Sequence, residues 1–314
     1  MIRNNDYRDL AVFTIVQDEP EFIHPWINHY KNHVADAGDI YVLVHSPTGL
    51  DGAPMRSAEM LAWQRAEALL TKHHGVVVLP VHHTSAFDHQ WLSDTVCRFQ
   101  SFLLQSYDWV LFAEADEFVL PTPDTSSTRK TLLNYVRELG PSPPLAIRAT
   151  GFEVIQQDGE HSVHPDNYNT GANVGLTAGE LIDSRQWWRP STLYSKTLLA
   201  RTPMRWGLGF HTVEGSGRDI ATGQPSDDLT LAHLHKVDFE LALSRRQRIR
   251  ARKWSQIDIE NRMGWQNRID NEAELRAFWA LDIDTDRPAE SGRLWPIANG
   301  IKQALRWLSP LRRD

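Results

Sequence analysis

Apolar and polar residues fall in alternating blocks along the first half of the chain. Leu10-Ala11-Val12-Phe13-Thr14-Ile15-Val16 is a continuous apolar run rich in β-branched residues, the pattern of a strand buried on both faces. Gln17-Asp18-Glu19-Pro20 stops it, and Pro20 suits the first turn of a helix running to about Val34. Ile40 to Val44 is a second strand, followed by a Pro/Gly loop over residues 46–52. Ser57 to Thr71 has helix-forming composition, Val76 to Val81 reads as a third strand, and Asp88 to Ser106 carries Leu92, Val96, Phe99 and Leu103 at helical spacing. A fourth apolar run covers Trp109 to Ala113. Strand and helix in regular alternation imply right-handed crossovers and a mostly parallel, open sheet flanked by helices.

The second half is less regular. Thr125 to Glu138 reads as a helix capped by Asp124 or Thr125, and Pro141-Ser142-Pro143-Pro144 breaks it. Leu145 to Ile155 holds strand-like segments, and residues 156–188 are polar and read as one long loop or a pair. Thr192 to Ala200 and Asp228 to Ala232 read as strands, the latter ending in His233-Leu234-His235. Asp238 to Trp254 is a strongly basic helix. With no repeat and no sharp shift in composition, the expectation is an α/β domain over residues 8–255 and a helical C-terminal extension, 256–314, packed on it.

Composition narrows the function. The chain has 314 residues with 41% hydrophobic and 23% charged, enough for a full core. A net charge of -7 argues against a nucleic-acid partner, which calls for a basic face. The single Cys97 excludes an intramolecular disulfide and reads as a packed helix position. Residues 1–6 lack the apolar core of a signal peptide, and no run reaches the roughly 20 apolar residues of a spanning helix. The default location is therefore cytoplasmic. The tail from Leu294 to Leu308 has an amphipathic pattern; docking on the protein's own core is its expected use and peripheral membrane contact the alternative. Twelve Trp are either packing residues or partners for sugar rings.

The chemistry concentrates where the fourth apolar run ends, in Glu114-Ala115-Asp116-Glu117. Clustered carboxylates must be solvated, protonated or paired with a cation, and such oxygen ligands suit Mg²⁺ or Mn²⁺. In an extended segment Glu114 and Asp116 point to one face. His233 and His235 share that geometry, so a metal site could draw on both strand ends; one packed and one exposed histidine is the plain alternative. Trp187-Trp188 reads as a plug over the core or as an acceptor platform. His73-His74 and His82-His83 read as surface and edge residues. The Gly-flanked loop 207–215 offers His211 and Glu214 as candidate bases. The basic helix, Arg245 to Lys253, reads as a solvated face, with approach to a diphosphate or an anionic membrane as alternatives. There is no Gly-x-Gly-x-x-Gly after the first strand and no Gly-x-x-x-x-Gly-Lys.

Ala11 to Glu19 followed by Phe22-Ile23-x-x-Trp26, together with Trp109 to Phe118, resembles glycosyltransferase family 2-like proteins, with the acid cluster matching their Asp-x-Asp segment in a variant that continues Glu-Phe. Lys196, the Gly209-Phe210-His211 loop and the His233 segment follow in the order expected of that group. The resemblance implies a GT-A-like fold and metal-dependent, hexosyltransferase-like transfer from a nucleotide-diphosphate sugar to a carbohydrate or other hydroxyl acceptor, with inversion. It implies a donor base near Val16, Gln17 and Glu19, with Mn²⁺ or Mg²⁺ held by Asp116 and by His233, His235 competing for that place. Glu114 stands where the pattern has Asp and would reach the metal through water or contact the ribose. His211 and Glu214 would take the acceptor proton, with Asp183 in reserve. Two other readings compete: a metal-dependent hydrolase using His233 and His235, and a non-catalytic nucleotide- or sugar-binding module.

Overall fold

A computed structural model describes residues 7–16, 19–47, 71–83, 87–121, 131–157, 159–163, 178–213, 223–250, 254–269, 271–282, 287–288 and 295–296. The predicted helix 57–71 falls almost wholly outside these residues.

The first half follows the expected alternation. Strand β1 (Arg8–Val16) leads to helix α1 (Pro20–Tyr30), then β2 (Ile40–Pro47), β3 (Val77–His83), α2 (His89–Leu103) and β4 (Tyr107–Phe112). β1 lies parallel to both β2 and β4, and β2 is parallel to β3. The apolar run of β1 is buried from Leu10 to Phe13, as a strand covered on both faces requires. Asp88 caps α2 by accepting from the Trp91 amide at 2.8 Å, satisfying a helix-end donor. Cys97 is half-buried on α2 and accepts from the Trp206 amide.

The second half adds β5 (Glu117–Pro121), α3 (Leu132–Glu138), β6 (Ala146–Ile155), α4 (Ala178–Asp183), β7 (Trp187–Pro190), β8 (Thr197–Ala200) and β9 (Gln224–Lys236). Helices α5 (Phe239–Arg250), α6 (Gln256–Glu260) and α7 (Glu272–Ala280) follow, with short strands β10 (Leu281–Asp282), β11 (Arg287–Pro288) and β12 (Trp295–Pro296). The main sheet runs β12-β7-β6-β8-β4-β1-β2-β3, with β5 and β9 pairing off this path. The result is an α/β fold with a mixed sheet, parallel through its β1–β4 core and flanked by helices, consistent with a GT-A-like architecture.

Several expectations change here. The acid cluster does not end the strand-forming sequence: Glu117 to Pro121 forms β5, antiparallel to β9. β9 is 13 residues long, well beyond the expected 228–232. The strand expected over 192–200 shortens to β8, with Thr192 to Lys196 in a turn, and the long polar loop contains α4 and β7. Trp188 stacks on Phe152 at 3.8 Å, which favours the plug over the acceptor platform. The helix expected from Thr125 has its described part capped by Thr131. Trp26, Trp109 and Trp206 are core residues, whereas Trp265 is exposed. Of the C-terminal amphipathic segment only Trp295–Pro296 is described; it pairs with β7, so the segment's start docks on the chain's own sheet. Among the described residues no helix is long and apolar enough to cross a membrane.

Helix α1 is locked to the sheet by polar contacts. The Tyr30 hydroxyl donates to the Glu117 carbonyl at 3.1 Å and accepts from the Val119 amide at 3.0 Å. His29 Nε2 donates to the Val119 carbonyl at 3.0 Å. His73, expected at the surface, is buried and shares a 2.8 Å hydrogen bond with His24. Burial pushes His29 down to about 4, and burial with neighbouring His24 and lysines does the same to His73. A histidine whose folded pKa is depressed stabilises the fold fully above its unfolded pKa of about 6.5 and loses that contribution as pH falls towards 4. The expected loss for His29 alone is about 3 kcal/mol by pH 4. Urea midpoints between pH 7 and 4.5 should therefore fall, and His29→Gln should flatten the curve by one titrating proton. An unchanged slope in that variant would refute the assignment.

Candidate functional site

The carboxyl ends of β1, β2 and β4 open into one cleft, the place where open α/β sheets bind ligands. Ile15, Val16 and Glu19 line it from the first strand and its turn, and His45 from β2. Glu114, Ala115 and Asp116 line it from the turn after β4. Tyr194, His211, His233, His235 and Arg245 close it from the second half.

The acid turn is built by its own backbone. The Glu117 amide donates to the Glu114 carbonyl, and the Glu114 amide donates to the Glu117 carboxylate, both at 3.0 Å. β5 then pairs with β9 in a register that sets Glu117 opposite His233. The Leu234 amide donates to the Asp116 carbonyl at 2.9 Å. That register brings the two distant motifs together: Asp116 Oδ1 and His233 Nε2 lie 3.9 Å apart, both buried. Tyr194 stacks flat on the His233 ring at 3.8 Å and holds its plane.

Two cations answer the carboxylates. Lys196, fully buried, donates to Glu114 at 2.6 Å and lies 2.6 Å from Glu117. Arg245 on α5 donates through Nε to Glu19 and through Nη1 to Asp116, each at 2.6 Å. Its guanidinium sits over the Phe22 ring at 5.2 Å. Burial would raise Asp116, but Arg245, aided by His233 and His235, outweighs it and holds the carboxyl well below the usual range. Glu117 moves the other way: burial pushes it up to about 7 against the pull of Lys196. Burial, with Lys196 as the next positive neighbour, lowers His211 to about 3. Burial also lowers His233 to about 3 against the opposing pull of Asp116. Both rings are therefore neutral and keep a lone pair.

The His211 loop is strained into place. Gly209 and the following Phe210 both have left-handed φ, 73° and 63°, and Phe210 is buried edge-on against Phe112. A non-glycine residue held there has a cost that the surrounding packing must offset. His211 Nδ1 donates to the Leu193 carbonyl at 3.0 Å, so Nε2 is the ring's acceptor.

The expected residues are thus largely gathered. Val16, Glu19, Glu114, Asp116, His211, His233 and His235 share the cleft. Gln17 and Glu214 lie outside the described residues. Asp183 is on α4 and is not part of the cleft lining. The solvated-face reading of the basic helix fails at Arg245 and Arg246, which turn inward. Residues not anticipated also line the cleft: His45, Phe87, His89, Trp254 and Phe278. His89 Nδ1 hydrogen-bonds Asp258 at 2.9 Å, a pairing across 169 residues that no local pattern announces. Among the described residues no group of three His, Cys, Asp or Glu side chains is arranged to hold a metal.

No family model matches the chain, and no curated protein matches it. Among solved structures, it is similar to the mannosyltransferase PcManGT from Pyrobaculum calidifontis, whose structure is in complex with GDP-Man and Mn²⁺, with 12% identity over 78% of this chain and a TM-score of 0.39. It is also similar to TarS from S. aureus (11% identity over 88% of this chain, TM-score 0.28) and to mouse xyloside xylosyltransferase 1 in its apo form (12% over 49%, TM-score 0.20). The chain spans 63%, 46% and 53% of those chains' own lengths, less than two thirds in each case. At such scores the likeness is loose, and the functional case rests on the cleft's own residues.

Lys196 is the structural keystone of the acid turn. Lys196→Met leaves Glu117 buried without its cation, and removal of one partner from a buried pair costs about 3–5 kcal/mol. The urea-unfolding free energy should drop by that amount and recover in part when Glu117→Leu is added. Full stability in the single variant would count against this role.

Proposed function

We propose that the chain is a glycosyltransferase that moves a sugar from a nucleotide-diphosphate donor to an acceptor hydroxyl. The observation that carries this reading is the meeting of Asp116 and His233, from motifs 117 residues apart, at the ends of the parallel strands. The resemblance of the β1 and β4 segments to glycosyltransferase family 2-like proteins points the same way. The base and ribose would lie against Val16, Glu19 and His45, and the diphosphate beside the acid turn.

The residues fit a divalent cation in a limited way. Asp116 Oδ1 and the neutral His233 face each other at 3.9 Å and could contribute two ligands. Mg²⁺ or Mn²⁺ takes few protein ligands and completes its shell from substrate phosphates and water. When bound, such an ion neutralises charge on the leaving diphosphate. The other groups act without it. Tyr194 fixes the His233 plane, and Lys196 holds Glu114 and Glu117. His211 offers Nε2 as acceptor for the hydroxyl proton, with Glu214 the other candidate base.

The hydrolase reading uses the same histidines to activate water. His235 accepts from Arg246 at 2.9 Å through Nε2, the nitrogen a metal would otherwise take. That contact favours the transferase. The discriminating experiment is calorimetry of nucleoside diphosphates with and without Mn²⁺, followed by turnover of nucleotide sugars against acceptor hydroxyls. Wild type should bind at least one diphosphate. Asp116→Asn should still fold, with Arg245 held by Glu19, and lose roughly 100-fold or more in sugar transfer, since charge stabilisation at the leaving group contributes several kcal/mol. Binding without turnover across acceptors would favour a non-catalytic module. No binding of any nucleoside diphosphate would overturn the reading.

A further inference from the structure

The cleft's arginine is only partly spent on its carboxylates. Arg245 uses one N–H of Nε and one of Nη1 on Glu19 and Asp116. A guanidinium has five N–H donors in a planar fork, so three remain. Its side chain is 14% exposed and lines the cleft, so those donors have an outlet.

Its neighbour gives an independent sign. Arg246 is 2% exposed, yet every partner it has among the described residues is neutral: the Gln266 carbonyl at 2.9 Å, the Ala242 carbonyl at 3.3 Å and His235 Nε2 at 2.9 Å. The ring of Phe278 lies 5.3 Å from its charge. A buried cation without a carboxylate partner is costly, and a nearby negative charge would offset part of that cost. His235, the partner of Arg246, lines the cleft, whereas Arg246 itself does not.

We propose that Arg245 binds the donor's diphosphate directly, through its remaining guanidinium donors, and that Arg246 is a positioning residue that orients His235 and adds positive field behind the same anion. This rests on the nucleotide-diphosphate reading above. Arg245 thereby has two tasks: it holds Asp116 and Glu19 in place, and it grips phosphate oxygens on the opposite side from His233. Contact by the fork does not depend on a divalent cation, so part of the affinity survives in chelator.

Inorganic pyrophosphate tests this without knowledge of the base. Titration of wild type in EDTA should show binding that weakens with added salt. Arg245→Gln should weaken it roughly 10- to 100-fold, the scale of a charged hydrogen bond, with Arg245→Lys in between. Glu19→Gln should tighten it severalfold, because it releases Arg245; a gain cannot come from misfolding. Nucleosides lacking phosphate should bind Arg245→Gln and wild type equally. Unchanged pyrophosphate binding in a folded Arg245→Gln, or no pyrophosphate binding to wild type, overturns the proposal. If pyrophosphate binding in EDTA is unchanged in that variant while nucleoside diphosphates bind with Mn²⁺, the inference fails and the transferase reading stands. If pyrophosphate binds through Arg245 but no nucleoside diphosphate does, the transferase reading fails and the anion site stands.

Discussion

Carboxylates crowded at a sheet edge must be answered by cations, and the architecture around the cleft follows from that constraint. Glu114, Asp116 and Glu117 fall within four residues, and Glu19 approaches from the first strand. Left alone they would repel one another, and the buried ones would take up protons. Lys196 comes from the turn before β8, and Arg245 from α5. Each cation bridges two carboxylates. The second half of the chain is thereby fastened to the end of the parallel strands by charge as well as by strand pairing.

The two bridges differ in kind. Lys196 and Glu117 are fully buried, and the raised Glu117 shows how much desolvation weighs there. That bridge is a structural device with little access to a ligand. Arg245 and Asp116 are also largely covered, but both line the cleft, and the guanidinium retains donors. A strong pair at the edge of a cleft can serve a ligand that replaces or extends its bonds, whereas a pair sealed beneath it cannot. The lysine is sealed beneath the cleft, and the arginine lies at its edge.

Local sequence pattern reached some of this and not the rest. The strands β1, β2 and β4 are legible because burial on both faces leaves unbroken apolar runs. The resemblance of the first and fourth runs to a known family pointed to Asp116, and the register of β5 on β9 made His233 its neighbour. That register is non-local, and Phe118-Val119-Leu120 after the acids is too short a run to announce a strand of its own. Arg245 was hidden for a different reason. Arg245, Arg246, Arg248 and Arg250 crowd the end of α5, so no clean hydrophobic stripe says which cations turn inward. Only the positions of Glu19 and Asp116 select Arg245. His73 reads as a surface residue in the sequence because its burial depends on His24, in a different element.

The protonation states of the cleft complete the argument. His211 is held near 3 by burial first and by Lys196 second, which makes it a weak base. Burial is fixed by the fold, but the electrostatic part responds to what is bound. A negative charge brought into the cleft would oppose the Lys196 part of that shift, while the larger part, set by burial, stays.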